Sequence, residues 1–282
     1  MLLWITGKGL LGSALVHECN GSLPVLHTGR EVDVADREKV FPFAEQHPGI
    51  THIVNCAAFS EVDKAELMKE EAYRANAEGP KNLAQLACQM GAKLIHISTD
   101  YVFPGTSRRL LTEQDRVNPC NYYGWTKLRG EENVLAHSMC VIRTSWLFGA
   151  KGKNFVSKLL KLLLSQKEVR LTDDQWGRFT YAPDLAKAIL KMLHHTGLYQ
   201  YANAGVATRY EFGLAMREEA FFMGYPILTE AVIPVPGAAF PTPCPRPEYS
   251  AFDTEKIEPY VKIRHWREAL RDFLCAQLPV YL

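Results

Sequence analysis

Tyr123 and Lys127, in the run NYYGWTKLRGEE, stand four residues apart on an expected helix and so share one face. A phenol beside an ammonium ionises more easily, because the cation favours the phenolate. The spacing therefore makes Tyr123 a usable acid near neutral pH. Upstream, KLIHIS (Lys93 to Ser98) reads as a buried strand that runs straight into Thr99 and Asp100. A hydroxyl at a strand's carboxyl end, followed by a Tyr and a Lys on the next helix, can serve a carbonyl being reduced. The same YxxxK spacing also arises by coincidence, and it gains meaning only beside a cofactor site.

Such a site is written into the first dozen residues. LLWIT is compatible with a buried strand, and Gly7-Lys8-Gly9-Leu10-Leu11-Gly12 follows, then an apolar-periodic stretch to about Cys19. This is G-x-G-x-x-G between a strand and a helix, the context the dinucleotide fingerprint requires. The pyrophosphate sits on the helix N-terminus, where unpaired N–H groups and the helix dipole favour an anion. The next strand, about Leu23 to Thr28, ends in Gly29-Arg30-Glu31. An acid there suits the ribose 2′-hydroxyl of NAD, and an arginine suits a 2′-phosphate. Arg30 is the better placed and favours NADP; Glu31 and Asp33 leave NAD open, and a plain surface loop is the other reading of these residues.

The elements that must hold these residues alternate along the chain. Expected strands are 2–6, 23–28, 52–57, 94–98 and 139–146, with helices between, the clearest from Lys69 to Met90. Alternation of this kind implies an α/β fold, a Rossmann-type doubly wound parallel sheet covered by helices on both faces. Ligands then gather at the carboxyl ends of the strands. The glycine loop, Ala57-Ala58, Ser98-Thr99 and Thr144-Ser145-Trp146 all fall at such ends, which adds Ala57 and Ala58 to the expected cofactor-binding residues. After about residue 150 the pattern changes: a helix (Asn154 to Gln166), a short strand (Val169 to Thr172), a helix (Pro183 to His195), a Pro-rich stretch (Pro234 to Pro247) too broken for regular structure, and a last helix from about Trp266 to Leu274. The expected division is 1–150 for the dinucleotide and 151–282 mainly for the substrate, a smaller C-terminal domain, with about 168–196 packing back on the first.

Composition narrows the class. The 282 residues are 47% hydrophobic and 22% charged, which excludes disorder, and the net charge of +1 without a basic run argues against a nucleic-acid surface. Seven scattered cysteines, with no CxxC and no Cys/His cluster, fit reduced thiols in a cytoplasmic protein and no zinc site. No apolar run approaches the ~18 residues a membrane span needs, and MLLWIT is too short for a signal peptide and serves better as the first strand.

Thr99-Asp100-Tyr101-Val102-Phe103, Tyr123-Gly124-x-Thr126-Lys127, Asn55-Cys56-Ala57-Ala58-Phe59 with Val62-Asp63-Lys64-Ala65-Glu66, and Arg143-Thr144-Ser145-Trp146 together resemble the dTDP-4-dehydrorhamnose reductases, extended short-chain dehydrogenase/reductases. Asn154-Phe155, Asp174-Gln175-x-Gly177, Asp184-Leu185-Ala186, Arg246-Pro247 with Ser250 and Asp253, and Trp266-Arg267 continue the likeness, which spans essentially the whole chain. The resemblance implies NADPH-dependent (or NADH-dependent) reduction of the 4-keto group of a dTDP-linked 6-deoxy sugar, giving the rhamnose donor for surface polysaccharide. Both a monomer and a homodimer fit it. Three departures stand out. The family loop usually reads G-x-x-G-x-x-G and is one residue shorter here, which could shift the cofactor's pose. Phe179 replaces a proline expected before Thr180. Ser13-Ala14 occupy the stretch where some members carry a glutamate for a magnesium-linked dimer, which argues against that metal here.

The chemistry follows from the residues as well. Hydride addition to a C4 carbonyl leaves negative charge on its oxygen; Tyr123 gives that oxygen a proton and Thr99 hydrogen-bonds it. Lys127 lowers the Tyr123 pKa and bonds the nicotinamide ribose. Asp100 could take a sugar hydroxyl or cap a helix. Trp146 could pack on sugar or base or be core. Asn154 could be a plain N-cap or help its helix end hold the substrate diphosphate. Lys158, Lys161 and Lys167 read as a solvated face, and the nine histidines show no ligand spacing. Two other classes share these residues: an epimerase or dehydratase that keeps NAD tightly bound, and a non-catalytic cofactor-binding regulatory subunit. The intact Thr99, Tyr123 and Lys127 set disfavours the second, and Arg30 with the TDYVF run disfavours the first.

Overall fold

The computed structural model describes residues 1–152 and 154–281. The chain runs β1 (Leu2–Thr6), α1 (Leu10–Cys19), β2 (Val25–Thr28), α2 (Arg37–Glu45), β3 (Ile50–Asn55), α3 (Val62–Ala65), α4 (Lys69–Tyr73), α5 (Gly79–Met90), β4 (Lys93–Thr99), α6 (Tyr122–Leu135) and β5 (Cys140–Thr144). It continues through β6 (Leu147–Phe148), α7 (Phe155–Ser165), β7 (Glu168–Thr172), β8 (Trp176–Gly177), β9 (Thr180–Tyr181), α8 (Ala182–Met192), β10 (Gly197–Gln200), β11 (Ala207–Thr208), α9 (Arg209–Phe222), β12 (Ala231–Val235) and α10 (Trp266–Tyr281).

Six strands form one parallel sheet in the order β10-β5-β4-β3-β1-β2. Both faces are covered, so side chains alternate between two apolar layers instead of between core and water. Leu3 and Ile5 of β1 join Leu15 of α1 and Leu185, Ile189 and Met192 of α8 on one face. Trp4, their neighbour, points to the other face with Val40 of α2 and Leu83 and Leu86 of α5. The strand order reverses between β1 and β3, which opens a crevice at their carboxyl ends, where this fold takes ligands.

A second core lies among α7, α9 and α10, with Phe148, Leu159, Phe179, Phe212 and Phe273 buried in it. Phe179, found where a proline was expected, stacks on Phe212 with ring centroids 3.8 Å apart. Of the stretch 168–196 expected to pack back on the first domain, α8 packs on the sheet and Thr180 accepts from Thr144 at the end of β5 at 3.1 Å. β7 belongs with the second core, where it pairs with β12. β12 also corrects the expectation that the Pro-rich stretch is wholly irregular. Pro234 is accommodated because β12 has a ladder partner on one side only. No helix among the described residues is long and apolar enough to cross a membrane.

The helix expected from Lys69 to Met90 is interrupted by a π-helical segment, Arg74–Glu78. Pro80 has no N–H to give the carbonyl of Asn76 four residues earlier, which loosens the ladder there. The buried Asn76 amide uses the freedom: it accepts from Phe59 N at 2.9 Å and donates to Phe59 O at 3.1 Å and to Thr126 Oγ1 at 3.0 Å. The loop after β3 is thereby tied to α6.

The strongest tie on α6 is ionic. Arg143, at the end of β5, grips Glu131 of α6 through two parallel bonds, Nε to Oε1 at 2.9 Å and Nη2 to Oε2 at 2.7 Å, with both side chains at most 3% exposed. Breaking a buried pair by removing one partner strands the other charge and costs about 3–5 kcal/mol. Glu131→Ala should lower unfolding free energy by that amount in urea denaturation. An unchanged midpoint would show the pair to be energetically idle.

Candidate active site

A cavity of about 1200 Å³ runs along the carboxyl ends of the strands. Its wall includes Gly7, Lys8, Gly9, Leu10, Leu11, Arg30, Ala57 and Ala58 at one end. Thr99, Asp100, Tyr123, Lys127, Trp146, Asn154 and Arg209 line the rest of it. All but one of the residues picked from sequence therefore face one space. The exception is Gly12, which is not on the wall. A Cβ there would lie 1.9 Å from the carbonyl oxygen of Gly7, so Gly12 lets α1 close on the turn.

The turn is built for a dinucleotide despite being one residue short. Gly7 sits at φ +87°, with a would-be Cβ 2.6 Å from Ala57 N, so only glycine fits between β1 and the loop after β3. Gly9 caps α1 without a side-chain bond, and nothing lies within 4 Å of its missing Cβ. That leaves the first N–H groups of α1 facing open space, as a pyrophosphate requires. Beyond the turn, Glu31 accepts from Lys8 Nζ at 2.5 Å and from Gly29 N at 2.8 Å. The Lys8 bond, then the Gly29 bond, hold its carboxyl down at about 2. Glu31 is thus engaged by Lys8, while Arg30 is exposed on the cavity rim with no ion-pair partner among the described residues.

The side chains around the reactive centre are buried, with Thr99, Asp100 and Lys127 each under a tenth exposed. Asn121 caps α6 by accepting from Gly124 N at 2.9 Å. Gly124 allows the close approach, since a Cβ would meet the Tyr101 carbonyl at 2.1 Å. Tyr123 follows directly, its ring edge-on to Tyr101 with centroids 5.7 Å apart and its phenol beside the Thr99 side chain. Burial pushes the phenol well above the ordinary tyrosine range, and the nearby Asp100 adds to the effect; Thr99 opposes it. This corrects the expectation that Lys127 makes Tyr123 easier to ionise. The Lys127 ammonium is turned elsewhere: Nζ donates to the Ile97 carbonyl at 2.6 Å and lies 3.3 Å from His96 Nε2. Burial draws Lys127 down to about 8, against the opposing pull of Glu131 and Cys56.

Asp100 is fully enclosed. It accepts from Ser250 Oγ at 2.6 Å and from Thr99 Oγ1 at 3.1 Å, and burial raises it to about 6 in spite of both bonds. The capping role considered for it belongs to Thr99, whose Oγ1 takes Tyr101 N at 3.3 Å. Asn154 is the N-cap of α7: Oδ1 accepts from Ser157 N at 3.0 Å and Nδ2 donates to the Gly149 carbonyl at 2.9 Å. Trp146 sits at φ +44°, a left-handed conformation that a bulky residue adopts only under constraint. Phe179 meets it edge-on and Gly177 presses on the indole. His96, Tyr101, Ser250 and Arg209 were not picked from sequence. Ser250 lies 150 residues from Asp100, and Arg209 is likewise distant in sequence from Thr99, so only the fold brings them in. Among the described residues no cluster of three or more His, Cys, Asp or Glu side chains could hold a metal ion.

Comparison with known proteins gives this geometry its context. The spore coat polysaccharide biosynthesis protein SpsK of Bacillus subtilis (strain 168) is 37% identical over 278 residues, covering 96% of this chain and 95% of SpsK. A dTDP-4-dehydrorhamnose reductase of Mycobacterium tuberculosis (strain ATCC 25618 / H37Rv) is 38% identical over 292 residues, covering 97% of this chain and 92% of that one. The crystal structure of a dTDP-4-dehydrorhamnose reductase from Bacillus anthracis str. Ames in complex with NADP superposes with a TM-score of 0.91 at 31% identity, over 98% of this chain and 99% of that one. A profile of the family described as RmlD substrate binding domain matches residues 1–278, and the chain belongs to that family.

Proposed function

We propose that this protein is an NADPH-dependent reductase of the 4-keto group of a dTDP-linked 6-deoxy sugar, turning dTDP-4-dehydro-L-rhamnose into dTDP-L-rhamnose for surface polysaccharide. The observation that carries the reading is the meeting of Thr99 and Tyr123 hydroxyls in the same cavity as an open glycine turn. The names of relatives at 36–38% identity support it, as does the NADP in the Bacillus anthracis structure. Residues 1–150 would hold the dinucleotide, and 151–282 would close over the sugar nucleotide. Seven free cysteines support a cytoplasmic setting.

The Gly7–Leu11 turn would receive the pyrophosphate, Ala57 and Ala58 the adenosine side of the cavity floor, and Arg30 the 2′-phosphate. When bound, the nicotinamide supplies hydride to the sugar carbonyl. Tyr123 then gives its phenolic proton to the developing alkoxide. Its raised pKa suits this direction of reaction, because the phenol stays protonated until the alkoxide forms. Thr99 turns its hydroxyl proton from Asp100 toward the same oxygen. Lys127, anchored on the Ile97 carbonyl, orients the ribose and keeps a positive charge in the buried site. Asp100 is placed to accept a sugar hydroxyl.

Tyr123→Phe keeps the ring and its packing on Tyr101. NADPH oxidation with the dTDP-keto sugar should fall in kcat by about 10²-fold or more, the scale of a lost general acid. Near-normal turnover would refute the mechanism. The pH dependence has a defined sign. Lys127 carries its charge below about 8 and loses it above, so kcat/KM should decline as pH rises through that value. A flat profile to pH 10 would remove Lys127's charge from the mechanism. Arg30→Ala should weaken NADPH by roughly tenfold or more and leave NADH nearly unchanged, since a charge-assisted bond is worth about 1.5–3 kcal/mol. Equal losses for both cofactors would make Arg30 an ordinary rim residue.

A further inference from the structure

A chain of buried hydrogen bonds reaches Lys127 from inside the sheet, through side chains that are not part of the cavity wall. Asn55 ends β3, and its Oδ1 accepts from Ala57 N at 3.1 Å and from Thr6 Oγ1 at 2.8 Å. Its Nδ2 lies 3.1 Å from His96 Nδ1, and His96 Nε2 lies 3.3 Å from Lys127 Nζ. Thr6, Asn55 and His96 are all buried, and none of the three lines the cavity.

Each link in this chain has a forced direction. A main-chain N–H only donates, so Ala57 turns the oxygen of the Asn55 amide toward itself and the NH₂ group toward His96. His96 Nδ1 must then accept. Burial, then the neighbouring Lys127, hold the ring well below the usual histidine range, so His96 is neutral and carries one N–H. That proton sits on Nε2 and faces Lys127. An amine can accept it; an ammonium has donors only. Every donor therefore finds an acceptor when Lys127 is an amine. As an ammonium, Lys127 rests on the Ile97 carbonyl at 2.6 Å and faces an N–H on its other side. Of the other titratable groups around it, Glu131 on the next turn of α6 favours the ammonium, but Arg143 holds both its oxygens. Burial pushes the Cys56 thiol, on the loop after β3, up to about 12 and raises the Tyr123 phenol one turn earlier on α6, so both are neutral.

We propose that His96, held in its Nε2–H form by Asn55, is a positioning residue that opposes the charge on Lys127 and so sets the pH at which that charge is lost. His96 does not reach the cavity and acts through Lys127. The proposal rests on the reductase reading where it concerns the alkaline limit of turnover; the tautomer and the titration stand on the hydrogen-bond chain alone. The direction is defined. A facing N–H favours the amine, so its removal lets Lys127 stay charged to higher pH.

The wild-type protein tests the tautomer directly. Nitrogen NMR of labelled histidine should show His96 with a protonated Nε2 and a bare Nδ1 at neutral pH. The opposite tautomer, or a charged ring, overturns the proposal. The titration of Lys127 is followed by carbon NMR at Cε, its signal assigned by loss in Lys127→Met. His96→Leu removes the N–H and should move that titration, and the alkaline limb of kcat/KM with it, up by about one pH unit or more, a tenfold change in the ratio of amine to ammonium. His96→Gln returns an N–H donor and should keep the titration near its wild-type position. A titration that stays put in His96→Leu overturns the assignment, and so does an equal shift in His96→Gln, which would mark altered packing. Asn55→Asp keeps the shape of the amide but accepts on both oxygens. It should draw the ring proton to Nδ1 and raise the titration, a readout that stands even where His96→Leu does not fold; a ring that keeps its Nε2 proton there overturns the role given to Asn55. Wild-type protein with the stated tautomer and titration that reduces no keto-sugar nucleotide would instead sink the reductase reading and leave His96 in place.

Discussion

The placement of the reactive groups depends on the ion pair buried between Glu131 and Arg143. Tyr123 and Lys127 ride on α6, and nothing about a YxxxK spacing says where that helix lies against the sheet. The bidentate grip fixes α6 to β5 in both height and rotation, because two parallel bonds permit one orientation of the fork. With α6 so held, Lys127 reaches the Ile97 carbonyl and Tyr123 reaches Thr99, both on or beside β4. The Asn76 amide, freed by the π-helical turn, secures α6 from its other flank through Thr126.

Charge is distributed along the cavity in a way that matches an elongated ligand with anionic groups. Cations stand on the cavity wall at Lys8, Arg30 and Arg209, alongside hydroxyls and groups whose charges burial opposes. Asp100 and Lys127 are both displaced toward neutrality by the same cause, the loss of water. Burial of this kind strengthens the electrostatic interactions made there.

Much of this was legible in the chain. The glycine turn, the TDYVF and YGxTK runs and the alternation of elements were enough to locate the sheet and the reactive hydroxyls, because each is a local pattern with a local cause. β10 was missed because Gly197–Gln200 is only four residues long and follows a helix without an apolar run. The π-helical break hid inside a stretch whose apolar period looks continuous. Arg209 left no local signature: one arginine after a threonine cap is ordinary until Trp146 is brought against it from 63 residues earlier. The reversed electrostatics of Tyr123 were hidden for a similar reason. Spacing places an ammonium near a phenol, but only the fold shows that a main-chain carbonyl of β4 claims it first.

Pro234 has a consequence for the protein among its neighbours in a cell. Among the described residues β12 has a ladder partner, β7, on one side only, and the border of a small two-stranded ladder is where a foreign strand would add. A residue without an N–H in the middle of that border interrupts any intermolecular ladder after two residues. The chain thus keeps the apolar core beneath β7 and β12 from seeding fibrous association, at a position where no catalytic demand competes for the choice of residue.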